Sequence, residues 1–286
     1  MKWPSGKFIP KFDDEALREA LKQFGPDTLG SERLGCGLAI VTKRLDTGSV
    51  WLFHNHPQGR FFGSPGPSGA HTPNREIAIT NLLRASTAAP SYFGPQKLEV
   101  APGLEGLFVD GGASPHNNPS LLLLMVATLR GYGFVWPMGE KQLMLVSVGT
   151  GVSQPAPLWG ESYEGKSAAI LAVDAMFSAM HDSNWLAQTM LQWMSSSPTA
   201  WKVDSEVGDL AQDVLGGKNL LHYLRYDAPL DRDWLKASLG MDLQSDQVRE
   251  LQHMDRPENA ERLLEIGRRA AEDQVRQEHF PAAFDI

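Results

Sequence analysis

The chain has 286 residues, 42% of them apolar and 21% charged, with a formal net charge of -8. That length and apolar content suffice for a sizeable core, and an acidic balance without clustered Lys and Arg excludes a nucleic-acid partner. The only cysteine, Cys36, excludes an internal disulfide and a cysteine-rich zinc site, and it points to a reducing compartment, the cytoplasm.

Taken in chain order, Asp13 to Phe24 predicts a short helix, and "GCGLAIVTKRL" reads as a buried strand because it is apolar, β-branched and lacks helical period. A second strand, Ser49 to His54, follows almost at once. The segment His54 to Glu76 is dense in Gly, Pro and Ser and long for a connection, which predicts a mobile loop. Arg75 to Arg84 places Ile77, Ile79, Leu82 and Leu83 at helical spacing, with small residues after it and Pro90 as the stop. A strand ends at Val109. A helix follows from Pro119 to Leu129, with Asn118 as its N-cap and Pro119 at the first helical position. Gln142 to Gly151 is another buried strand closed by a glycine turn. Lys166 to Met194 is helical, "NLLHYLRYDAPL" reads as a strand, and Arg256 to Gln277 is an amphipathic helix with Leu263, Leu264, Ile266 and Ala270 toward the core. Strands alternating with helices through the first half predict a largely parallel sheet covered on both faces. The expectation is one domain over residues 1–286, with 152–286 as a mainly helical extension.

The first fifteen residues lack the apolar run of a secretion signal, and the longest apolar segment, Ser120 to Leu129, is about half the roughly 20 residues that span a bilayer. Peripheral contact with a lipid surface needs only an exposed apolar patch or loop and stays open.

Asp110 carries the chemistry. It follows an apolar strand, at the edge where ligands gather in open α/β sheets, and Gly111 and Gly112 permit positive φ and leave room beside its carboxylate. The bland alternative is a turn aspartate bonded to its own backbone. The string "DGGASPHNNP", with "RASTAAPSYF" before it and "LVSVGTG" after it, resembles the patatin-like phospholipases in three places and in the right order. The resemblance runs from about Phe12 to Gly151 by motif, and more loosely through the C-terminal helices. It implies a three-layer α/β/α sandwich and a Ser-Asp dyad in which Asp110 is the base, with Gly111, Gly112, Asn117 and Asn118 as its supporting turn. It implies phospholipids or other acyl esters as substrates, no metal and no organic cofactor, and Phe61 and Phe62 as a lid or lipid contact.

The family's nucleophile sits in a Gly-x-Ser-x-Gly elbow, and a glycine-rich loop supplies its oxyanion donors. Neither occurs in this sequence. Ser64 and Ser68 in "GSPGPSGAH" and Ser147 in "SVGTG" lack the elbow spacing, so the nucleophile is expected upstream and the sandwich is expected to be N-terminally incomplete. A catalytically inactive product that binds a lipid or a protein is the alternative, and an incomplete sheet would favour association into oligomers. Elsewhere, His54 and His56 could share a strand face as metal ligands but have no third partner in sequence, so they read as structural. Gly149 and Gly151 read as a strand-end turn, Ser86 and Thr87 as helix packing, and Cys36 as an inert strand residue.

Overall fold

A computed structural model describes residues 10–63, 71–152, 168–253 and 255–285. The fold is mixed α/β, with one antiparallel and one parallel sheet. The chain divides into two compact units, 1–136 with 172–188, and 137–171 with 189–286.

The first unit opens with α1 (Glu15–Leu21), then β1 (Ala39–Arg44) and β2 (Ser49–His54). It continues through α2 (Ile79–Ser86), β3 (Gln96–Ala101), β4 (Leu104–Asp110) and α3 (Ser120–Thr128). The sheet order is β2-β1-β4-β3, and every neighbouring pair is antiparallel. The expected parallel sheet is therefore corrected here. Leu45 to Gly48 is the whole link between β1 and β2, and Pro102 with Gly103 the whole link between β3 and β4; parallel strands need a crossover of a dozen residues or more. Gly48 and Gly103 close these hairpins at φ +67° and +72°. β3 was missed by the apolar-run reading, although its buried residues alternate with exposed ones up to the Pro-Gly turn.

The core of this unit lies between the sheet and α2: Leu82 and Ala85 meet Ile40, Phe53, Leu98, Val100 and Phe108. Trp51, Phe53 and Phe108 form an aromatic cluster with ring centroids 5.4 to 5.8 Å apart. α2 begins at Ile79 and not at Arg75, because Ala78 bridges Thr28 in extended conformation and Ile77 accepts the Leu29 N–H. Of the long loop, residues 64–70, with Ser64 and Ser68, lie outside the described residues; its flanks are tied by Asn74 N–H to Phe61 O and Thr72 N–H to Val100 O.

In chain order come β5 (Met144–Val148) and α4 (Ala168–Trp193), whose residues 172–188 belong to the first unit. The second unit has a parallel sheet, β5-β7-β6, from β5, β6 (Ser195–Ser196) and β7 (Leu221–Tyr226). β7 is buried at every position, as a strand between two parallel neighbours requires. Three helices, α5 (Arg232–Leu239), α6 (Ser245–Leu251) and α7 (Ala260–Gln274), pack through Leu235, Leu239, Val248, Leu251, Ile266 and Ala270. Ile266 and Ala270 face this core as expected, but Leu264 is 75% exposed, one position off the buried stripe. No helix among the described residues is long and apolar enough to cross a membrane.

Candidate functional site

Asp110 is the last residue of β4, opposite Thr42 of β1, on one of the two interior strands of its sheet. Its N–H donates to Ala88 O at 3.1 Å, so the segment after α2 borders the strand end. The chain then turns through a single 3-10 turn, Gly111–Ala113, whose start Asp110 caps: Oδ1 accepts the Gly112 N–H at 2.7 Å. Among the described residues the second carboxylate oxygen accepts no hydrogen bond.

Closeness requires the first glycine, where a Cβ would meet backbone, and crowds the second, where it would meet side-chain ends. Neither has positive φ, contrary to expectation. A Cβ on Gly111 would lie 2.5 Å from Val41 O, the same oxygen that accepts the Ser86 hydroxyl at 2.7 Å. A Cβ on Gly112 would lie 2.8 Å from Asn117 Oδ1, 3.1 Å from Asp110 Oδ1 and 3.3 Å from Met180 Cε. Asn117 thus sits over the same glycine as the carboxylate. Asn118 is buried, and its Oδ1 accepts the Ser120 N–H at 3.1 Å. It closes a turn just before α3, one residue ahead of the expected register, because Pro119 is the N-cap and Ser120 the first helical residue. The Asn118 Nδ2 is buried without a hydrogen-bond partner among the described residues.

Burial pushes the Asp110 carboxyl above its ordinary value, and the Gly112 N–H opposes that rise. Desolvation disfavours the charged form of any carboxyl, so this one holds its proton more tightly than a free aspartate. That is the direction in which a carboxylate becomes a better base near neutral pH. Two neighbours escaped the sequence reading. Ser114 is buried, donates to Gly111 O at 2.6 Å and accepts the His116 N–H at 3.2 Å, and burial lowers the His116 pKa. Both lie inside the motif string, but only the fold sets them beside the glycine turn.

Comparison with models of known families and with curated proteins gives no match for this chain. The likeness to the patatin-like phospholipases rests on the three strings in the sequence.

The remaining candidates have structural partners. His54 Nδ1 accepts the His56 N–H, His56 Nδ1 accepts the Gln58 N–H, and the rings pack on Tyr132 and Phe134. Among the described residues no three His, Cys, Asp or Glu side chains are grouped to hold a metal. Thr87 bonds back to Leu83 O within its own helix. Cys36 is exposed in the loop before β1, and the expected core position is corrected: the strand starts only at Ala39. Phe61 is half exposed beside His71, and Phe62 is partly buried.

In the second unit Gly149 and Gly151 form the expected strand-end turn, Gly151 at φ +103°. Its partner was missed. Asp227 Oδ1 accepts the Gly151 N–H at 2.8 Å, and a Cβ on Gly149 would collide with the same carboxylate at 1.9 Å. Arg225 pairs with Asp227 and donates to Ser147 Oγ at 2.8 Å, both charged groups being buried. The signal was "RYD" in an otherwise apolar strand, since a buried charge needs a partner.

Proposed function

We propose that this chain carries the catalytic base of a patatin-like lipid acyl hydrolase, and that its complete fold is the α/β/α sandwich of that family. Asp110 takes the proton of a serine hydroxyl as the serine oxygen bonds to an ester carbonyl carbon, and returns it to the leaving alcohol. Water then hydrolyses the acyl-serine by the same route. The serine comes from an elbow on a segment N-terminal to this sequence, and the substrate is a phospholipid or another acyl ester met at a lipid surface. No metal or organic cofactor takes part in these steps.

One observation carries the reading: a partly buried carboxylate at the end of an interior strand, with its proton affinity raised by burial and one oxygen held by the Gly112 N–H. A second reading, a catalytically inactive module that binds lipid or protein, is favoured by the Gly112 bond alone, because a turn aspartate makes that bond without catalysis.

Asp110→Asn decides between them in the chain joined to a segment bearing the glycine-rich loop and serine elbow. The amide keeps an oxygen for the Gly112 N–H but cannot take the serine proton. Hydrolysis of a short-chain ester should fall roughly 10²- to 10⁴-fold, mainly in kcat. A folded variant as active as its parent would make Asp110 a turn residue.

A further inference from the structure

We propose that the first unit meets an anionic lipid bilayer through the end of α3 and the loop that follows it. Met125, Leu129, Val135 and Trp136 are each between 40% and 52% exposed. Backbone bonds gather them: Leu129 N–H donates to Met125 O at 2.9 Å and Trp136 N–H to Ala127 O at 2.8 Å, which folds the loop back onto the last turn of the helix. All four lie within the first unit. Single exposed apolar side chains are ordinary, whereas several large ones on adjoining turns mark a contact surface.

Backbone strain singles out the same loop. Val135 has φ +47°, in the left-handed region that a β-branched side chain avoids. Strain at an exposed position gains the isolated chain nothing, and such residues gather where a segment is shaped for a ligand. A second loop lies against the first. The His56 ring packs on Phe134 with centroids 3.9 Å apart and the His54 ring on Tyr132 at 6.0 Å, and a Cβ on Gly133 would lie 3.2 Å from His56 Cε1. This second loop exposes Arg60 and Phe61, as the first exposes Arg130.

Charge selects the occupant. The chain carries 34 Asp and Glu against 26 Lys and Arg, yet it has no Asp or Glu between Asp110 and Glu140 and none between Asp46 and Glu76. Arg60 and Arg130 form no ion pair among the described residues. Arg75 and Glu76, on the turn bonded to Phe61 and Phe62, offset each other and leave the two arginines in excess. Basic side chains are drawn to the negative surface of a bilayer, and Trp and Tyr settle at its boundary with water. A second copy meeting this face with its own would set arginines against arginines, with no carboxylate in the contacting loops to pair them. The inference rests on the lipid-hydrolase reading only in naming the face that meets the substrate's surface; the test reads binding without hydrolysis, so its failure leaves the assignment of Asp110 untouched.

The test cosediments the full chain with vesicles of phosphatidylcholine alone and of phosphatidylcholine mixed equally with phosphatidylglycerol, alongside sedimentation velocity of the chain without lipid. Saturable binding to the mixed vesicles is expected, weakening as salt is added. V135S/W136S removes the apolar contact at exposed positions and should weaken that binding about tenfold or more with the circular dichroism of the parent. R60Q/R130Q leaves every apolar side chain in place and should lower binding to the mixed vesicles to roughly the level seen with phosphatidylcholine alone. No binding to the mixed vesicles, or binding by both folded variants equal to the parent's, overturns the proposal. Self-association that V135S/W136S abolishes, without vesicle binding by the parent, overturns it in favour of a second copy.

Discussion

Asp110 loses water on one side and gains a single N–H in return. Its carboxyl is raised above the ordinary value of 3.8, burial outweighing the Gly112 bond. The native state therefore binds this proton more tightly than the unfolded chain does. The stabilisation is fully present below 3.8 and is lost as pH rises through the raised native value. Asp110→Asn does not titrate, so the variant should gain stability relative to its parent as pH rises from 3.8 through the raised native value. Urea midpoints of the two proteins across that range give the measurement, and a constant difference would mean that burial does not disturb the carboxyl. The aspartate and its glycines stand out in the sequence as a strand-end turn. The reason Gly111 is glycine does not, because Val41 O approaches it from β1, about 70 residues away in the chain.

At the scale of elements, β7 and the turn after β5 are locked together by one carboxylate. Asp227 takes the N–H groups of Gly151 and Ala228 and pairs with Arg225, which itself reaches Ser147 of β5. Asp227→Ala strands a buried guanidinium and frees two backbone donors, so it should cost about 3 to 5 kcal/mol in chemical denaturation. A loss below about 1 kcal/mol would place the pair in water. The helix at the next step is secured more cheaply. Asp231 caps α5 through the Trp234 N–H at 2.9 Å, and Asp231→Ala should cost about 1 kcal/mol in the same assay.

For the whole molecule, the question is whether any serine of this chain is a nucleophile. The Ser86 hydroxyl donates to Val41 O, the Ser114 hydroxyl to Gly111 O, and Ser147 accepts from Arg225. Each of these bonds anchors a neighbour of the candidate turn or of the second unit's sheet. A fluorophosphonate probe should leave the native chain unlabelled and label it once it is joined to a serine elbow. Stoichiometric labelling of a serine in the chain alone, lost on unfolding, would overturn the assignment of the nucleophile to another segment.

Local patterning was enough to place most elements: the apolar runs at β1, β2, β5 and β7, the helices α3 and α4, and the position of Asp110 at a strand's carboxyl end. The antiparallel pairing of β1 with β2 and of β3 with β4 was also written there, in links too short for any crossover. Alternation of strands and helices pointed the other way, because it counts elements without measuring what joins them. Tertiary structure alone decided that Arg84 meets Asp14, 70 residues away, and that Arg225 meets Ser147 at a separation of 78. Periodicity and turn chemistry act over a few residues. Buried charges find their partners only when the packing of whole elements brings distant parts of the chain into contact.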